Sequence, residues 1–121
     1  FDQAIPALLN DLEDRGMLDD TLVVITTEFG RTPRINQLAG RDHWPNAFSI
    51  VMAGGGVQGG QVIGKTDKQA AEVADRPITP EDMVATILYG LGIDHKKTLH
   101  TPLGRPVPIA DGGKVVTELF S

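Results

Sequence analysis

The first fifteen residues alternate between apolar and polar positions with a helical period. Their apolar side chains fall on one side of a helix: Ile5, Leu8, Leu9 and Leu12. This spacing predicts an amphipathic helix. Because Pro6 is tolerated only in a first turn, the helix is expected to begin near residue 3, and Gly16 is a natural stop.

Two uninterrupted apolar runs follow this helix. TLVVITT at residues 21–27 and FSIVMAG at residues 48–54 carry no charge and have the length of strands. Such runs predict two buried strands. The shorter run QVI at residues 61–63 is framed by glycines and predicts a third short strand. Residues 67–78 are polar and are expected to form an irregular connection.

A second helix is predicted to begin at Thr79. Thr79 is a favoured N-cap residue, Pro80 suits the first helical position, and Glu81 and Asp82 place negative charge in the first turn. The helix is expected to run to about Leu91. The proline-rich remainder of the chain predicts loop with short extended pieces.

Composition restricts the classes of protein to consider. The chain has 121 residues, 16 acidic against 11 basic side chains and a net charge of −5. It is long enough for one modest core, so residues 1–121 are expected to form a single partial domain. The acidic balance, without a Lys/Arg run, argues against nucleic acid as a partner. No apolar segment approaches the ~20 residues of a membrane span, and the absence of cysteine excludes disulfides and thiolate metal sites.

Charged side chains concentrate in residues 26–44, TTEFGRTPRINQLAGRDHW, directly after the first apolar run. In open α/β sheets, ligands bind beyond the carboxyl ends of the strands, which favours a ligand site here. A solvated network of surface ion pairs would show the same composition. The residue pattern alone leaves both interpretations open.

Residues 59–66, GGQVIGKT, match the phosphate-loop pattern GxxxxGK[ST] and raise a nucleotide-binding alternative. The QVI interior favours a strand, whereas a phosphate loop must curl so that its amides point inward. The segment after Thr66 also lacks the apolar periodicity of the helix that should follow. Lys65 is therefore expected to be a surface residue beside a turn.

Four segments, taken in order, carry a resemblance to a known family: TTEFGRTP, GRDHWP, AGGGVQGGQVIGKTD and DRPITPEDMVATILYGLGID. They resemble the C-terminal part of a bacterial family of unknown function, number 1501, which is similar to sulfatases and alkaline phosphatases. The resemblance implies the C-terminal portion of a three-layer α/β sandwich with a mostly parallel sheet. It also implies divalent metal, namely zinc, calcium or magnesium, bound beyond the strand ends.

The resemblance assigns roles to individual residues. Glu28 and Phe29 stand where an Asp-His metal-binding pair is expected, and His43 matches a later metal-binding His. Asp42 is implied as a further ligand or as the group that orients His43. Because a phenyl ring cannot coordinate a metal, Phe29 departs from the pattern. Two guanidinium groups, Arg31 foremost and Arg41, are the catalytic candidates for holding ester oxygens.

The resemblance therefore implies a metal-dependent hydrolase of small sulfate or phosphate esters. The family's nucleophile is expected upstream, so this chain is expected to be incomplete for catalysis and to pair with an N-terminal remainder of the same domain. A superfamily member without catalysis, acting as a binding or structural envelope domain, is the alternative that Phe29 permits. The resemblance also implies export to the periplasm or beyond, while the residues themselves give no location.

Overall fold

A computed structural model describes all of residues 1–121 and contains two α-helices and eight short strands. In chain order the elements are α1 (Ala4–Asp14), β1 (Val23–Ile25), β2 (Gly30–Arg31), β3 (His43–Trp44), β4 (Val51–Ala53), β5 (Lys65–Thr66), β6 (Val73–Asp75), α2 (Pro80–Gly90), β7 (Thr98–His100) and β8 (Pro106–Pro108). A single 3₁₀ turn, Thr117–Phe120, follows β8. Neither helix has the length and apolar character needed to cross a bilayer.

Both predicted helices are confirmed. Helix α1 begins one residue later than expected, with Pro6 in its first turn. Helix α2 begins with a reciprocal capping box: the Thr79 hydroxyl accepts the Asp82 N–H at 3.2 Å, and the Asp82 carboxylate accepts the Thr79 N–H at 3.0 Å. These signals act within one turn of chain, which explains why the sequence predicts them well.

The predicted fold class is wrong. Instead of one mostly parallel sheet, the structure has four separate two-stranded sheets, and every pair is antiparallel. Strand β1 pairs with β4, β2 with β3, β5 with β6, and β7 with β8. No three-layer sandwich is present in these 121 residues.

The connections explain the antiparallel pairing. Parallel neighbours need a crossover of a dozen or more residues, usually a helix. The two apolar runs that form β1 and β4 are joined instead by a segment containing the β2–β3 hairpin, and both helices lie outside that segment. The chain therefore returns alongside β1 in the opposite direction, with Val24 facing Met52 in the register.

Three finer predictions also fail. Residues 61–63 form no strand, and the expected irregular connection contains β6, which pairs with β5. Strands β1 and β4 are only half-buried, and Val51 is 51% exposed. A two-stranded ribbon leaves much of each face without a covering layer, which accounts for this partial burial.

The best-buried part of the molecule joins α2 to the last residues of the chain. Ala85 and Thr86 of α2 and Val116 near the chain end are the most deeply buried residues, and Ala47 and Ala110, outside this contact, are the other two buried residues. The Thr86 hydroxyl donates to the Asp82 carbonyl at 2.6 Å and accepts the Val116 N–H at 3.0 Å. The ring of Tyr89 meets that of Phe120 edge to face at 5.3 Å. Side-chain and backbone groups thus fix the C-terminal segment on α2.

Candidate functional site

The β2–β3 hairpin brings two of the predicted site residues together. Its antiparallel register places Arg31 directly opposite His43 and Gly30 opposite Trp44. Directly opposed residues project to the same face of a ribbon, so Arg31 and His43 share one face. A Cβ on Gly30 would collide with the carbonyl oxygen of Ala47. The close approach of that segment therefore requires glycine beside the site.

Phe29 completes this face. Two residues before Arg31, it projects to the same side of the ribbon. Its ring stacks on the His43 imidazole with centroids 3.7 Å apart and an interplanar angle of 22°. The Arg31 guanidinium carbon lies 5.6 Å from the centre of the same ring. We call Phe29, Arg31 and His43 the cationic face of the hairpin.

The loop between β2 and β3 is braced by its arginines. Arg31 Nη1 donates to the Arg41 carbonyl at 3.2 Å, and Arg41 Nη1 donates to the carbonyls of Thr32 and Pro33. The Thr32 hydroxyl accepts the Asp42 N–H at 3.1 Å. Arg41 is thus engaged in holding the two ends of the loop together, whereas Arg31 has most of its five N–H donors free for a ligand.

The predicted metal ligands do not assemble into a complete centre. No group of three or more His, Asp or Glu side chains comes together at ligand spacing anywhere in the chain. Asp42 Oδ1 accepts a hydrogen bond from the Asn36 side-chain amide at 2.9 Å, which directs that carboxylate toward the loop. Glu28 is exposed at the entrance to β2. Glu28, Asp42 and His43 therefore do not by themselves fit the three- or four-donor set of a zinc site.

The charges of the cluster are not neutralised internally. The three ion pairs of the chain, Arg15–Asp11, Lys65–Asp75 and Arg76–Glu118, all lie elsewhere. Arg31, Arg34 and Arg41 therefore carry positive charge without a carboxylate partner, in a chain whose net charge is −5. The ion-pair network considered from the sequence is not formed, and the cluster is suited to an external anion.

Comparison with known protein families identifies the family of this chain. A family model described as "Protein of unknown function (DUF1501)" matches residues 1–120. The chain belongs to this family. The description assigns no activity and includes no affiliation to sulfatases or alkaline phosphatases. Searches of curated proteins and of solved structures gave no match.

An open groove of about 790 Å³ lies beside the hairpin in this DUF1501 chain. Its lining residues are Thr32, Pro33, Arg34, Trp44, Gln69 and Ala71. The Trp44 indole N–H donates to the Ala71 carbonyl at 2.6 Å, and the ring is half-buried. Trp44 thus anchors the hairpin to the segment before β6.

The phosphate-loop match does not form a phosphate loop. Lys65 and Thr66 lie in β5, and no helix follows until Pro80. The Lys65 ammonium is exposed and lies 3.7 Å from Asp75. The expected surface position of Lys65 is confirmed, and the residue lies at the start of β5.

Sequence reasoning missed the part that Phe29 plays in the DUF1501 site. Phe29 was considered only as a departure from a metal-binding pattern, whereas it contacts both Arg31 and His43. The alternation Phe29, Gly30, Arg31 was the available signal, because it places the aromatic ring and the guanidinium on one side of any strand. The other two histidines, His95 and His100, lie outside the hairpin, His95 in the loop before β7 and His100 at its end.

Proposed function

We propose that this chain supplies the anion-binding part of a hydrolase of small sulfate or phosphate esters. The observation that carries the proposal is the register of the β2–β3 hairpin, which sets Arg31 directly opposite His43. In this proposal, Arg31 and His43 hold the ester's charged oxygens, and no nucleophile is assigned to residues 1–121.

The chemistry of the cationic face suits such an ester. A guanidinium can donate two parallel hydrogen bonds to the oxygens of a sulfate or phosphate group, and it stays protonated at all working pH values. During displacement at sulfur or phosphorus, fixed donors stabilise the negative charge on those oxygens. His43, on the same face, is suited to donate a further hydrogen bond or to transfer a proton at its imidazole nitrogens.

The resemblance of TTEFGRTP and GRDHWP to sulfatase and alkaline phosphatase segments supports the same substrate class. It also predicts a divalent metal, which would supply Lewis-acid stabilisation of the ester oxygens when bound. Glu28, Asp42 and His43 form no complete donor set for such a metal among themselves. Elemental analysis of the purified full-length protein tests that prediction separately.

The experiment measures hydrolysis of aryl sulfates and aryl phosphates by the full-length protein and four variants. Arg31→Ala and His43→Ala each remove one functional side chain of the cationic face. Arg105→Ala and His100→Ala are the matched controls, because both residues are exposed and lie outside that face. Loss of one charge-assisted hydrogen bond is expected to cost about 1.5–3 kcal/mol, or roughly 10- to 150-fold in kcat/KM. The controls should stay within about twofold of the unaltered protein. Absence of turnover of both ester classes, or equal losses in site and control variants, would overturn the hydrolase proposal.

Phe29 favours a second candidate function. It stands where the resemblance places a metal-binding His, and a phenyl ring cannot replace that ligand. A family member that binds sulfated or phosphorylated molecules without turning them over is the function consistent with this replacement. Equilibrium binding of such esters without hydrolysis, weakened by Arg31→Ala, is the result that this candidate predicts.

A further inference from the structure

We propose that Phe29 is a positioning residue that fixes the imidazole of His43 and the guanidinium of Arg31 for the same anion. The proposal rests on the proposed function of the cationic face and adds a role for a residue that contacts no substrate. Its basis is the contact of one aromatic ring with both functional side chains.

Phe29 is itself held in place by the chain around it. The Thr27 hydroxyl donates to the Phe29 carbonyl at 3.0 Å, which fixes the backbone that enters β2. On the other side, Gly30 lies against the Ala47 carbonyl, and a side chain there would collide with it. The ring is half-buried and is absent from the set of buried core residues. The backbone at Phe29 is therefore constrained on both sides, and its ring lies outside the main packing.

His43 needs such a support because its side chain is exposed. An exposed imidazole samples several rotamers, and ordering it for a ligand has an entropic cost at each binding event. Stacking at 3.7 Å with an angle of 22° restricts the plane of the imidazole before a ligand arrives. The face of the Phe29 ring also attracts a positive charge, and the Arg31 guanidinium carbon lies 5.6 Å from the centre of that ring.

The size of the effect follows from the contact. Aromatic pairs contribute modestly beyond the area they bury, which corresponds to a change of about 2- to 10-fold in an equilibrium or rate constant. Phe29→Leu keeps apolar bulk and removes the ring, whereas Phe29→Tyr keeps the ring. The leucine variant is therefore expected to lower kcat/KM for the ester by about 2- to 10-fold, and the tyrosine variant to restore it to within about twofold.

The experiment combines this kinetic comparison with NMR of the full-length protein carrying ¹³C-labelled histidine. The His43 signals are assigned by their loss in His43→Gln. In the unaltered protein and in Phe29→Tyr, the ring current of the stacked aromatic should shift the His43 ring protons upfield, and Phe29→Leu should abolish this shift. Unchanged His43 signals in Phe29→Leu, or an equal kinetic loss in the leucine and tyrosine variants, would overturn the positioning role.

The two readouts separate this proposal from the proposed function. If the protein hydrolyses no sulfate or phosphate ester, the hydrolase proposal fails, and the NMR comparison still decides whether Phe29 fixes His43. If hydrolysis depends on Arg31 and His43 while the His43 signals ignore Phe29, the positioning role alone fails. Thermal unfolding of each variant shows whether any kinetic loss comes from a general loss of folding.

Discussion

Asp82 ties the start of α2 to the loop before the final turn, and its replacement tests how this half of the molecule is held. One carboxylate oxygen accepts the Thr79 N–H at 3.0 Å, and the other accepts the Lys114 N–H at 2.7 Å. These hydrogen bonds, the one from Thr79 foremost, lower the pKa of Asp82 below its ordinary value. Asp82→Ala removes both bonds at once.

The expected loss can be worked from these two contacts. A net hydrogen bond contributes roughly 0.5–1.5 kcal/mol, and more when one partner is charged. The carboxylate is only partly shielded from water. The two hydrogen bonds together are therefore expected to contribute no more than the lower half of the range for a single hydrogen bond to a charged group, about 1.5–3 kcal/mol. Asp82→Ala should therefore reduce the free energy of unfolding at neutral pH by about 2 kcal/mol. Asp82→Asn keeps one acceptor oxygen and should lose about half as much.

The pH dependence has a definite sign. Since folding lowers the pKa of Asp82, the ionised carboxylate stabilises the fold above the unfolded-state pKa of about 4. That contribution is lost as the pH falls through the lower, folded-state pKa. Asp82→Ala should therefore flatten the acid side of the stability curve. Asp19→Ala, at an exposed turn position before β1, is the matched control and should leave the curve unchanged.

Urea unfolding of the full-length protein, followed by circular dichroism between about pH 3 and pH 7, measures both effects. A loss below about 0.5 kcal/mol for Asp82→Ala would contradict the reasoning, because hydrogen bonds of this kind are worth more in sum. An acid slope identical to that of the unaltered protein would contradict it independently.

Three further predictions follow from local geometry. Thr86→Val should lower the free energy of unfolding by about 1–3 kcal/mol in the same urea assay, because the buried Val116 N–H loses its acceptor; no measurable loss would contradict this. Gly30→Ala should destabilise the β2–β3 hairpin and lower thermal stability, whereas Gly59→Ala, where a Cβ meets nothing within 4 Å, should not; equal effects would remove the packing argument. Lys65→Ala should lower the free energy of unfolding by less than about 1 kcal/mol, because its ion pair with Asp75 is exposed. ATP should not raise the melting temperature of either the unaltered protein or this variant. Stabilisation of the unaltered protein by ATP that is lost in Lys65→Ala would instead support the nucleotide-binding interpretation.

The helices could be predicted because their signals are local. Thr79, Pro80 and Asp82 determine the start of α2 within a single turn, and the capping box forms as the residue types require. Helix α1 likewise follows from the spacing of its apolar residues. Neither helix depends on which distant segment packs against it.

Strand pairing could not be predicted in the same way. The apolar runs that contain β1 and β4 would look alike in a parallel and in an antiparallel sheet, since only the path between them decides direction. The family resemblance implied a sandwich with a mostly parallel sheet, whereas β1 and β4 form an antiparallel pair. The two-residue strands β2 and β3 are too short to leave an alternating pattern in the sequence.

The sequence named Arg31 and His43 as site candidates, but it did not predict how they are arranged. Arg31 and His43 lie twelve positions apart, and the cross-strand register brings them together. The roles of Arg41 as a brace and of Phe29 as a support depend on backbone geometry that residue types do not encode. The metal-binding roles of Glu28, Asp42 and His43 stay a prediction.

Equilibrium binding of inorganic sulfate and phosphate to the full-length protein tests the central claim most directly. Isothermal titration at constant ionic strength compares the unaltered protein with Arg31→Ala and with the exposed control Arg105→Ala. The account predicts that Arg31→Ala weakens anion binding by about 30-fold, equivalent to about 2 kcal/mol, while Arg105→Ala changes it by less than about twofold. Binding that is equally strong in all three proteins, or that is absent from the unaltered protein, would contradict an anion site at Arg31 and His43.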